Sequence, residues 1–476
     1  MKKTIKYLLL LVLSIGTFTS CSEDDLEPTL AQSKSIETSI NSLNDLDALL
    51  IGAMERIAIN EYYGRDIIIL GEVFSDNTTS NANSNRFVVE AQMDLNAESA
   101  IARTLWTRIY AVIASANIII GAEGIAGDEA RINHVKGQAY AIRALAHFDL
   151  VKFYGQQNVG GSTLNLSAAG VPYVTAFRDN DNLFPSRNTV QEVRDLAYAD
   201  LKMAQDLMSE SLNNPSKEFI TTYAAYALEA RIANYFGDHA RALTAAKVVI
   251  DSGEFEIASR SAFLANFRSR GASNSIFEIA NTPTDNPGIN GLANIYQVGS
   301  YGDVVALPNL AAIYDEGDVR GASPYDPTAG VAPTTVIGRS PNGTLRNVGK
   351  YPRTAPFEDN IPVIRYEEIV LIYAEALIRT GGDLAEALVW LNKIPAARGA
   401  ALYTEATIAN VLLERRKELA FEGFRFHDLA RTGMDIKSVD IIQLHTGVAY
   451  GAYKFAMPIP TAEVGVNANI TQNSGY

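Results

Sequence analysis

The segment Glu414–Gly433 reads ERRKELAFEGFRFHDLARTG. It brings Arg415, Arg416, Glu418, Glu422, His427 and Asp428 close together, and these are the residue types of general acid–base catalysis. The local spacing argues for a different role. Leu413, Leu419 and Ala420 supply the apolar positions of a helix over 414–421, on which Arg415 reaches Glu418 at i+3 and Glu418 meets Glu422 as a like charge. The two arginines are therefore expected to find acids elsewhere in the chain. Gly423 breaks the helix; Phe424 and Phe426 then alternate with Arg425 and His427, and Leu429 packs. A hydrolase built on two carboxylates needs them facing a cleft with room for substrate. Acids one turn apart on a helix rich in counter-charges read as a structural joint instead. The competing reading is a surface hydrolase that depends on a carboxylate such as Glu418.

No other segment offers stronger chemistry. The histidines His134, His147, His239, His427 and His445 never fall at zinc-ligand spacing, and HExxH is absent. No nucleophile elbow, P-loop or dinucleotide fingerprint is present, so no cofactor and no metal is expected. His147 lies on an apolar helix face and reads as a core residue. Asp315-Glu316-Gly317-Asp318 is an acidic turn without EF-hand spacing and reads as solvated.

The elements that would position a site are helical. In Leu105–Ile120 the residues Trp106, Ile109, Tyr110, Ile113 and Ile120 recur at helical intervals, and Val135–Tyr154 repeats the pattern. Thr189 with Glu192 forms a capping box opening a helix to about Ser211. GDHARAL at 237–243 and GDLAEAL at 382–388 each separate two apolar helical stretches. In each, glycine ends one helix, aspartate caps the next, and small alanines let the pair approach, as in tetratricopeptide-like hairpins. Between Pro283 and Pro356 lie nine of the 17 prolines and ten glycines, which forbid long helices there. The fold class is all-α: tetratricopeptide-like hairpins with an irregular, loop-rich lobe inserted at about 281–357. A second loop, SDNTTSNANSNR at 75–86, is rich in amides and hydroxyls.

The N-terminus and the charge bound the setting. Lys2, Lys3 and Lys6 precede an apolar run from Tyr7 to Phe18, the order of a secretory signal peptide over 1–20. Cys21, the sole cysteine, follows at once and precedes Ser22-Glu23-Asp24-Asp25. This arrangement fits a lipoprotein anchored through acylated Cys21, with a flexible tether over 21–35 and one domain over 36–476. Acyl chains contribute about 0.8 kcal/mol per buried methylene, so several on one residue hold firmly. A net charge of -14 argues against nucleic acid as a partner.

Several stretches together resemble the SusD/RagB lipoproteins. These are LWTRIYAVIASANIII (105–120) with its mid-helix Asn117, AIRALAHFDLVKFYG (141–155), IRYEEIVLIYAEALIRTGG (364–382), the Glu414–Gly433 segment, and YKFAMPIPTAEVGVNANITQNSGY (453–476). The resemblance implies a non-enzymatic receptor lipid-anchored in the outer membrane and facing the exterior. It also implies capture of oligosaccharide, or of peptide, and transfer to a TonB-dependent (SusC-like) outer-membrane transporter. Family members bind ligands through loops in two places, which selects Asn77, Asn81 and Arg86 from the early loop and Tyr296 and Tyr301 from the lobe. Both tryptophans, Trp106 and Trp390, lie on helices and read as core. A glycoside hydrolase and a peptide-binding lipoprotein stand as alternatives.

Overall fold

The computed structural model describes residues 40–161, 163–298 and 301–476. The expected leader, anchor Cys21 and tether lie outside these residues. Labelling helices of seven or more residues, the chain opens with α1 (Leu43–Ala58), capped by a reciprocal Ser42–Asp45 box. It continues through α2 (Asp66–Val73), α3 (Ala100–Gly121), α4 (Glu129–Tyr154) and α5 (Val190–Leu207). The Thr189–Glu192 box opens α5 as its spacing predicts. The helix ends at Leu207, earlier than expected, and the chain leaves through extended Met208 into a short turn.

The two GD segments build two helix hairpins. Asp238 caps α7 (His239–Asp251) after α6 (Thr222–Tyr235), and Asp383 caps α9 (Leu384–Arg398) after α8 (Tyr366–Arg379). The left-handed turn residue is Gly237 (φ +75°) in the first; in the second it falls one position earlier than the pattern suggests, at Gly381 (φ +71°). Helix α6, with buried Ala224, Ala225 and Ala227, packs against α7, with buried Ala242, Ala245 and Ala246, and such small side chains favour a close approach. Helix α7 packs directly on α8, although the whole lobe separates them in sequence. The lobe is thus an insertion between consecutive hairpins of one stack, followed by α10 (Ile408–Glu418) and α11 (Arg425–Arg431).

Short strands organise the insertion. At its base, β2 (Ser275–Ile279) pairs antiparallel with β7 (Ile361–Arg365), with Phe277 opposite Ile364 and Ile279 opposite Ile361. Within it, β4 (Ala322–Pro324), β5 (Ile337–Arg339) and β6 (Leu345–Asn347) form a three-stranded sheet. The remaining pair joins two distant segments. Strand β1 (Thr78–Ser80), from the early loop, pairs antiparallel with β3 (Val304–Ala306), from the lobe, in the register Thr78–Ala306 and Ser80–Val304. The two loops that the sequence marks as ligand-binding are thereby joined along one edge.

Candidate functional site

The cluster of acids and bases around Glu418 is fully interior. One Glu418 oxygen accepts from Arg365 at 3.0 Å and Arg398 at 2.9 Å; the other accepts from Arg398 at 3.0 Å and Arg320 at 3.1 Å. Glu422, a like charge to Glu418, accepts two Arg365 N–H groups at 2.8 Å each and Lys350 Nζ at 2.5 Å. Arg415 donates to Asp428, not to Glu418. Asp318 is a correction: it is buried and ion-paired with Arg320 at 2.8 Å, so only the Asp315–Gly317 part of that turn is exposed. Burial alone would raise the Glu418 pKa, but Arg398, Arg365 and Arg320 hold its carboxyl well below the usual range. A carboxylate with four N–H donors and no solvent access has neither a free lone pair for a proton nor room for a substrate. The knot instead ties the lobe (Asp318, Arg320, Lys350) to α8, α9 and α10.

His147 and Asn117 are committed in the same way. His147 is buried, with Nδ1 bonded to the Arg143 carbonyl and Nε2 accepting from the Val174 N–H. Desolvation pushes its pKa down to about 3, which fixes it as a neutral core residue. Asn117 accepts from Arg143 at 2.7 Å. A cavity of about 60 Å³ beside Tyr63, Arg231, His427 and Asp428 fits waters rather than a sugar ring.

The sequence-selected ligand residues divide. Asn77 and Tyr296 are corrected: both are 0% exposed. Asn77 Oδ1 accepts from Arg416 Nε at 2.7 Å, and adjacent Asp76 binds Arg425 at 2.6 and 2.9 Å, so this base of the early loop is stitched to the 414–433 segment. The Tyr296 ring stacks on Tyr351 and meets Phe421 edge-on, while its hydroxyl donates to the Phe421 carbonyl. An irregular lobe needs an aromatic core of its own, and Tyr296 is part of it.

Asn81, Arg86 and Tyr301 come together at the surface. The Asn81 N–H donates to the Asp303 carbonyl at 2.8 Å and its side chain donates to the Gly302 carbonyl at 3.1 Å. Exposed Asn83 donates to the Tyr301 carbonyl at 2.5 Å. The Arg86 guanidinium lies 3.6 Å from the centroid of the partly exposed Tyr301 ring. Ser84 anchors the tip, donating N–H and Oγ to the buried Asp303 carboxylate at 2.6 Å each. Ala82, Asn85 and Phe87 all adopt positive φ (58°, 63° and 56°), a local strain that the surrounding bonds must maintain.

Asn81 also borders a cleft of about 520 Å³. Thr79, Ser80 and Ala82 line one side, Val305, Ala306 and Pro308 continue it, and Gly343, Thr344 and Leu345 stand across. Ile441, Ile442 and Leu444 close it. This last wall escapes sequence reasoning, although an Ile-Ile pair in a polar stretch is a signal: Ile441 is 98% exposed. The Leu444 N–H donates to Thr79 Oγ at 3.2 Å and fixes the segment on β1. Trp106 is buried as expected, donating to Glu463. Trp390 is only half-buried, with Lys393 Nζ 3.5 Å from its ring centroid.

Comparison with known proteins places this arrangement. Residues 25–233 match a family model described as starch-binding, associating with outer membrane, and residues 344–476 match the SusD family. The chain is 25% identical to SusD-like protein P2 of Formosa agariphila over 99% of its own length and all of the relative's. It is 32% identical to the starch-binding protein SusD of Bacteroides thetaiotaomicron, over 28% of this chain and 24% of that one. The crystal structure of a SusD superfamily protein from Bacteroides vulgatus superposes with a TM-score of 0.81 at 28% identity, covering 92% of this chain and all of that one.

Proposed function

The chain belongs to the SusD/RagB family, and on that premise we propose that it is a non-catalytic receptor that captures oligosaccharide at the Asn81–Arg86–Tyr301 rim. The observation that carries this reading is the rim itself: an arginine-backed tyrosine bonded to an exposed asparagine, on a loop whose Asn81 also lines a cleft of about 520 Å³. Sugar rings offer an apolar face for stacking and hydroxyls for amide hydrogen bonds, and this surface supplies both partners. Proteins of the family bind glycans, associate with the outer membrane and work with SusC-type transporters. We extend this to the present chain as anchoring through Cys21, outward orientation, and transfer of cargo to a TonB-dependent transporter.

Incubating the purified protein with a glycan panel is the test. Retention without cleavage is expected. Turnover would favour a hydrolase, and retention of peptides alone would move the ligand class. Cys21→Ala is expected to release the protein from the membrane while its melting temperature holds. Co-purification from solubilised membranes is expected to bring down a TonB-dependent transporter, and a clean preparation without one would remove the transfer step.

A further inference from the structure

We propose that the rim selects an anionic glycan, whose carboxylate or sulfate ester docks on Arg86. The inference rests on the oligosaccharide-capture reading and adds the ligand's charge to it. Its starting point is a local departure from the composition. The chain carries 54 acids against 40 bases, yet the residues lining the cleft are all uncharged. Among the described residues, no carboxylate lies within ion-pair distance of Arg86. Its terminal nitrogens reach only neutral acceptors at long range, Ser84 Oγ at 3.4 Å and Asn290 Oδ1 at 3.3 Å. Asp303, the acid bonded to this loop, is 0% exposed and occupied by the Ser84 N–H and hydroxyl. The segment 434–444 that presents Ile441 and Ile442 carries one base, Lys437, against two acids, Asp435 and Asp440, and neither acid lines the cleft.

A guanidinium has five N–H donors in a planar fork that matches two oxygens of a carboxylate or sulfate. The Tyr301 ring already holds that plane at 3.6 Å, so less side-chain freedom is lost when an anion binds. Exposed Asn81 and Asn83, on the same loop, are amides of the kind that bonds sugar hydroxyls. The net charge of -14 repels anions at long range, but salt screens this beyond about 8 Å under physiological conditions. Selectivity should therefore show as a difference between matched ligands.

The experiment titrates the full chain with matched pairs. One arm uses oligogalacturonates and their carboxyl-reduced products; the other uses sulfated galactan oligosaccharides and their desulfated products. In the arm carrying the right anion, the charged member is expected to bind at least about tenfold tighter, in line with a charge-assisted bidentate contact. Arg86→Gln should erase most of that difference and Arg86→Lys should keep part of it, both with unchanged melting temperature. Equal or tighter binding of the neutral members overturns the inference and leaves oligosaccharide capture standing. If no member of either pair is retained, the inference falls, and oligosaccharide capture falls with it only when the wider glycan panel is not retained either.

Discussion

Two arginines in this protein lie against aromatic rings in nearly the same way, and their surroundings give them opposite uses. The Arg398 guanidinium is 4.0 Å from the Phe263 ring centroid and Arg86 is 3.6 Å from that of Tyr301. Arg398 is fully buried, with its charge committed to Glu418 and Glu367. Arg86 is partly exposed and touches only neutral acceptors. Removing the partner of a buried guanidinium is costly because the interior supplies no water to replace it. An exposed one can keep donors in reserve. Residue type and motif therefore say little about recognition; ligation and burial decide it.

The contrast breaks most visibly at Glu418. Glu418→Ala would take one buried carboxylate partner from each of Arg398, Arg365 and Arg320 and is expected to cost about 3–5 kcal/mol in a denaturant melt. A cost below about 1 kcal/mol would mean that the knot is relaxed by water. Next comes Tyr296→Ala, which empties a core site and should lower stability by about 3 kcal/mol. Its effect on ligand affinity should follow only from unfolding.

Acid titration sharpens the interior side. Burial would raise the Asp428 pKa, but Arg415 and Arg431 override it and hold the group at about 2, against an ordinary 3.8. A folded pKa below the unfolded one contributes stability that is complete above about pH 4 and lost as pH falls through 2. Asp428 alone accounts for about 2 kcal/mol of that loss. Glu72 has the opposite sign. Burial, only partly offset by the Gly423 and Phe421 N–H groups, pushes it up to about 7, so its contribution is complete below about pH 4.5 and lost as pH rises through 7. Melts from pH 2 to 9 should therefore peak on the acid side of neutrality, and Glu72→Gln should recover stability at pH 8 but not at pH 5. The smallest effect on the fold belongs to the rim: Tyr301→Ala should weaken oligosaccharide binding by about 1–3 kcal/mol, the scale of base–aromatic stacking, with little change in melting temperature.

These differences mark where sequence is legible. Helix hairpins are local, so the Thr189–Glu192 box and the Asp238 and Asp383 caps can be read from a few adjacent residues. The structural role of Glu418 was legible too, from the surplus of counter-charges, though its partners were not: Arg320, Arg365 and Arg398 come from three separate segments. The pairing of β1 with β3 was invisible because three-residue strands carry no periodicity. That pairing decides which residues of each loop face outward. It buries Asn77 and leaves Asn81 at the surface, although both are asparagines in the same polar stretch. Tyr296 and Tyr301 separate for a related reason: the first sits on a short helix whose buried side faces Tyr351, and the second lies at the turn into β3.

The most direct test is a crystal structure with a bound oligosaccharide identified by the panel. The account predicts a sugar ring in contact with Tyr301, with Asn81, Asn83 or Arg86 hydrogen-bonded to it and the chain continuing into the cleft beside Ile441. A cognate sugar bound at a remote surface, such as the groove between α1 and residues 280–287, with the Arg86–Tyr301 rim empty, would contradict it.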